Sequence, residues 1–131
     1  MDFKHDESSS IIGKWKHVRF FVESWEFGGG FVDYSNHNVI LEFTSDGYMT
    51  ISGDIRPNTV LFLTNEYRYL FSDKWLNESK KGGVNFSDYR LILEWVDRDW
   101  SNDYFFMIFS DKLIIEPPGS DRNFHYFEKI N

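Results

Sequence analysis

Apolar and polar side chains alternate with a period of two through most of this chain, and that pattern predicts strands. Val39-Ile40-Leu41-Glu42-Phe43-Thr44 and Tyr48-Met49-Thr50-Ile51 flank Ser45-Asp46-Gly47, and Asp-Gly between alternating runs signals a hairpin. A three-residue loop with Gly47 in the left-handed region sets Phe43 opposite Met49 and Leu41 opposite Ile51 on one face. Glu42 then meets Thr50 on the other. A two-residue loop would mix the faces, so the hydrophobic pattern selects the first register.

Further strands are predicted from Lys14 to about Glu23, over Thr59–Leu63 and Tyr67–Phe71, from Tyr89 to Val96, over Lys112–Glu116 and from Asn123 to Ile130. The run Tyr104–Phe109 is apolar on both faces, which predicts a central strand covered on each side. Pro117-Pro118-Gly119-Ser120 interrupts the sheet before the last strand. Two segments do not read as strand. Trp25 to Asn38 carries Gly28-Gly29-Gly30 between Phe27 and Phe31 and reads as a loop. Ser72 to Gly83 reads as a short helical turn near 72–82, with Ser72 as cap, Trp75 and Leu76 as packing residues and Gly82 as stop.

The segment Ile11-Ile12-Gly13-Lys14-Trp15-Lys16 begins this series of eight or nine strands, and Phe124 to Ile130 ends it. If those two segments pair, the sheet closes and loses its exposed edges. The expected fold is all-β: a single antiparallel up-and-down β-barrel over residues 11–131, preceded by a flexible polar leader at 1–10.

Composition narrows the function classes. The 131 residues suffice for one self-sufficient core. The 20% aromatic content favours half-buried pleated surfaces and would equally line a pocket. A net charge of −7, with no basic cluster beyond Lys80-Lys81, argues against nucleic acid and anionic membrane surfaces as partners. Without cysteine there is neither a disulfide nor a thiolate metal site. No apolar run is long enough to span a membrane as a helix. The polar start reads as cytoplasmic as written, or as cell envelope or periplasm if Met1 replaces a removed signal.

Gly13-Lys14-Trp15 entering the first strand resembles the Gly-x-Trp opening of the lipocalin and wider calycin barrels. Together with the hairpin Leu41 to Tyr48, the run Ser110 to Ile115 and the ending Tyr126-Phe127-Glu128-Lys129-Ile130, it resembles small bacterial lipocalin-like domains. The chain is shorter than a usual lipocalin, and Asn102-Asp103-Tyr104 is a loose echo of that family's Thr-Asp-Tyr element. The arginine that the family packs on its tryptophan has no direct match here; Lys129 or Arg122 would serve in its place. The resemblance implies a barrel opening guarded by the first long loop, a small apolar or amphipathic ligand, and no reaction.

The period of two places Trp15, His17, Arg19 and Phe21 on one face of the first strand. Trp15 is expected to plug the closed end. Arg19 and His17 are then polar anchors inside the barrel, Arg19 suiting an acidic ligand, unless a bulge turns Arg19 out to water or an internal glutamate pairs with it. The expected lining is Phe21, Leu41, Phe43, Met49, Ile51 and Trp95, with Phe27 and Phe31 on a lid-like loop. His17 and His125 fall on neighbouring strands, but no third ligand stands at metal-site spacing, so neither a metal nor a cofactor is expected. Asp97, Asp99 and Asp103 lack the ligand spacing of a calcium loop. No Gly-x-Ser-x-Gly element or phosphate loop is present. The function expected is therefore non-catalytic binding. The alternative is a protein–protein module, a homodimer included, with a filled barrel and Trp25, Phe27, Trp75 and Trp100 outside.

Overall fold

The computed structural model describes residues 3–4, 10–22, 30–33, 35, 38–53, 66–72, 80–81, 84–87, 89–117 and 123–130. Their strands are β1 (Phe3–Lys4), β2 (Gly13–Val22), β3 (Gly30–Asp33), β4 (Ile40–Phe43), β5 (Tyr48–Ser52), β6 (Glu66–Ser72), β7 (Lys80–Lys81), β8 (Val84–Asn85), β9 (Arg90–Trp95), β10 (Ser101–Phe109), β11 (Lys112–Glu116) and β12 (Asn123–Lys129). The order β2-β4-β5-β6-β9-β10-β11-β12 is antiparallel throughout. Pairing of β12 with β2 closes it into an eight-stranded up-and-down barrel. The opening and closing segments thus satisfy each other's backbone groups, from Trp15 opposite Lys129 to Val22 opposite Asn123.

The β4–β5 hairpin has the register that the hydrophobic pattern selects: Phe43 opposite Met49, Leu41 opposite Ile51 and Glu42 opposite Thr50. Gly47 has φ +94°, a conformation that a side chain makes costly. The β10–β11 turn is tighter, with Phe109 opposite Lys112 and Ser110 at φ +56°.

Two apolar layers follow from the alternation. Inward residues form the main core, including Trp15, Leu41, Phe43, Met49, Tyr67, Leu91, Leu93, Phe106, Leu113 and Phe127. Phe105, Met107, Ile114, Phe124, Tyr126 and Phe86 form a second cluster on the outer wall, with Val18 and Phe21 packed against it. Tyr104–Ile108 is accordingly buried on both faces, as a doubly covered strand should be. Its outward Phe105 packs against Phe86, just after β8.

Three expectations change. Gly30–Asp33 is not loop: it forms β3, which pairs with the upper half of β2, Phe31 opposite Phe21. The stretch read as a helical turn near 72–82 begins in β6 at Ser72, and Lys80–Lys81 forms β7, antiparallel to β8. Residues 73–79, like the strand expected over Thr59–Leu63, lie outside the described residues. In the leader, Phe3–Lys4 pairs in parallel with Val84–Asn85.

Candidate functional site

One end of the barrel is sealed. Trp15 is fully buried and its Nε1 donates to the Ile11 carbonyl oxygen at 2.8 Å. The Lys129 ammonium lies 5.4 Å from the centre of its ring, a cation–π contact that fixes the indole between charge and core. Around this floor the Ile130 amide donates to the Lys14 carbonyl and the Lys129 amide to that of Asp111. Tyr69 closes the side, its hydroxyl donating to the Thr44 carbonyl at 2.6 Å and its ring meeting Phe43 edge-on.

Above the floor, the inner wall carries two histidines. His17 lies two residues beyond Trp15 on β2, about 7 Å higher along the strand. It is buried and its ring stacks on Phe127 at 4.8 Å. His125, two residues before Phe127 on β12, brings its Nδ1 to 3.4 Å from His17 Nε2. Burial, and then the neighbouring His17 ring, drives the His125 pKa down to about 3. The charged form would have to sit in an apolar cup. His125 is therefore a neutral donor–acceptor across the physiological range. Higher still, Tyr67 and Trp95 meet edge-on, and Trp95 Nε1 donates to Asn102 Oδ1.

Leu41, Phe43, Met49, Ile51 and Trp95 are buried in the inner core as expected, and His17 faces inward with them. Arg19 and Phe21 do not. The pairing of β2 with β12 shifts register between Tyr126 and Phe127, so that His17 faces Phe127 while Arg19 faces Tyr126. The extra residue is Val18. Such a bulge reverses the side on which every later side chain emerges. Phe21 consequently packs on Phe124 in the outer cluster. Arg19 is solvent-exposed, its guanidinium 5.2 Å from the centre of the Tyr126 ring. Phe31 is placed in β3 by its pairing, and Phe27 lies outside the described residues.

The bulge also shapes the outer wall. Val18, Arg19, Asp33, Ile114, Tyr126 and their neighbours line a cavity of about 470 Å³. The alternation gives no sign of it. Among the described residues, no three His, Cys, Asp or Glu side chains gather as a metal site, and no helix is long and apolar enough to cross a membrane. No family model, curated protein or solved structure matches the chain.

Proposed function

We propose that the barrel binds a small hydrophobic or amphipathic molecule above the Trp15 floor and catalyses nothing, in the manner of the lipocalin-like domains it resembles. The observation that carries this reading is the buried His17–His125 contact on the inward face of a closed, largely apolar wall, with His125 held neutral by burial. A pair of imidazoles at one height suits a ligand whose single polar group enters last among apolar neighbours. With Arg19 outside, the polar anchor is imidazole rather than guanidinium. The preferred head group is therefore a hydroxyl, carbonyl or protonated acid rather than a carboxylate.

The protein–protein alternative rests on the outward Trp100, which is 59% exposed beside Trp95 and Arg98. The test is a titration of the full chain with a fatty alcohol and with an environment-sensitive apolar dye, read by tryptophan fluorescence. Saturation near one molecule per chain, with the monomer retained on sizing, supports the carrier. A silent titration accompanied by a dimer overturns it in favour of the interface.

A further inference from the structure

The end of the barrel away from the Trp15 floor carries an aromatic group that closure of the wall does not need. The eight barrel strands alternate in direction. Because β2 rises from the floor, β9 rises too, and the turn from β9 to β10 stands at the far end, the mouth. Ser101 lies opposite Glu94, which sets Trp100 opposite Trp95, and the Trp95 amide donates to the Trp100 carbonyl at 2.9 Å. Directly opposed residues project from the same side of a ladder. Trp95 belongs to the inner core, whereas Trp100, on that same side but just outside β10, is 59% exposed.

Both indoles are held in place. Trp95 Nε1 donates to Asn102 Oδ1 at 3.1 Å. The Arg98 guanidinium lies 5.2 Å from the centre of the Trp95 ring and 5.0 Å from that of Trp100, cation–π contacts that fix the two rings relative to each other. Arg98 is itself matched in charge, with Asp97 at 3.8 Å. One guanidinium can shield only one face of an indole, so the rest of the exposed Trp100 ring is open to contact.

Trp100 also ends a series of rings packed edge-on. Tyr67 meets Trp95 at 6.2 Å and 89°, and Trp95 meets Trp100 at 5.3 Å and 69°. Nearer the floor, Phe43 meets Tyr69 at 83° and Tyr69 meets Phe71 at 69°. Such packing sets the positive rim of one ring against the negative face of the next. A planar aromatic ligand continues the series, and an aliphatic chain offers neither rim nor face.

We infer that Trp95 and Trp100 form the mouth-side half of the interior site and select a planar aromatic ligand, a fused-ring alcohol or ketone rather than an aliphatic chain. This inference rests on the carrier reading and narrows its ligand class. The rings of the ligand would pack against Trp95 and Trp100, with the single polar group directed inward toward the histidines.

The experiment is calorimetric titration of the full chain with naphthylmethanol and with decahydronaphthylmethanol, its fully saturated counterpart. The hydroxyl is aliphatic in both, so only the rings differ. Naphthylmethanol should bind at about one per chain, displace the interior dye, and bind roughly three- to tenfold tighter than the saturated alcohol. Trp100→Leu keeps an apolar side chain without the ring and should shrink that preference to less than about twofold, while Trp100→Phe should keep most of it. Neither variant should shift the melting temperature, because Trp100 is exposed. Equal binding of the two alcohols, no binding of naphthylmethanol at millimolar concentration, binding without loss of the dye, or a preference that survives Trp100→Leu would each overturn the assignment. The fatty-alcohol titration separates the two readings. Where it saturates but the aromatic preference is absent, the selection by Trp95 and Trp100 fails and the carrier stands; where it too is silent, both fail.

Discussion

Acidification should loosen this barrel through one residue, His125. In the unfolded chain its imidazole takes up a proton near pH 6.5, but in the folded state burial beside His17 holds that uptake back to about pH 3. The unfolded state therefore binds a proton that the folded state refuses throughout this window. The stability contributed is complete above pH 6.5 and falls as the pH is lowered toward 3. Each pH unit of unmatched uptake costs about 1.4 kcal/mol, so at pH 4.5 the penalty is on the order of 2–3 kcal/mol. That is a large share of a small domain's stability. Carboxylates titrate in the same range, and a His125→Gln comparison cancels them. Glutamine keeps a hydrogen-bonding side chain toward His17 but does not titrate. Urea unfolding of both proteins, measured at steps from about pH 7.5 to 4.5 and extrapolated linearly, should give curves that converge as the pH falls. Wild type should lose about 2–3 kcal/mol more than the variant. Parallel curves, separated by a constant offset, would refute the claim that His125 is held neutral by burial.

Trp15→Ala should cost about 3–5 kcal/mol in urea unfolding, because it empties the floor and removes the bond to the Ile11 carbonyl. Gly47→Ala and Gly53→Ala should differ sharply. A Cβ at Gly47 meets nothing within 4 Å, leaving only the cost of its positive φ, about 1–2 kcal/mol. A Cβ at Gly53 would stand 2.0 Å from the Asn38 carbonyl oxygen, so that variant should melt lower than Gly47→Ala. Arg68→Ala removes a pair with Glu94 in which both side chains are about half exposed, and its melting temperature should stay within that expected for less than about 1 kcal/mol. For ligand binding, His125→Leu should weaken a fatty alcohol more than an alkane of equal length. Equal weakening would show that the imidazole acts only through packing.

The strongest alternations told their structure correctly. Leu41, Phe43, Met49 and Ile51 could share a face only in the register found. The apolar run Tyr104–Phe109 is expected to be covered on both faces, and it is as far as Ile108, Phe109 being exposed next to the turn. The first strand was harder to read, because a period of two holds only while every residue is paired. Val18 breaks that condition, and an apolar residue beside Arg19 looks the same whether it is a wall residue or a bulge. Hence Trp15 and His17 face inward as the alternation predicts, whereas Arg19 takes the outward course that a bulge opens to it and Phe21 follows to the outer cluster. Three short strands were hidden by glycine. Gly30 opens β3 at the end of a Gly-Gly-Gly run that suggests a loop. Between β7 and β8, Gly82-Gly83 is itself a hairpin signal, whereas Ser72, Trp75 and Leu76 have the pattern of a short capped helical turn. The outer cavity had no sequence signature, because its residues come from β2, β3, β11 and β12 and converge only once the barrel has closed.

The isoleucine methyl groups offer the most direct test of ligand capture inside the barrel. Ile51, Ile108 and Ile115 belong to the inner core, whereas Ile114 lies in the outer cluster and Ile12 is exposed. With methyl-labelled protein and one equivalent of a fatty alcohol, the account predicts resonance shifts at inner-core positions, with Ile114 and Ile12 unmoved. Shifts confined to Ile114 and Ile12, or none at saturating ligand, would contradict it.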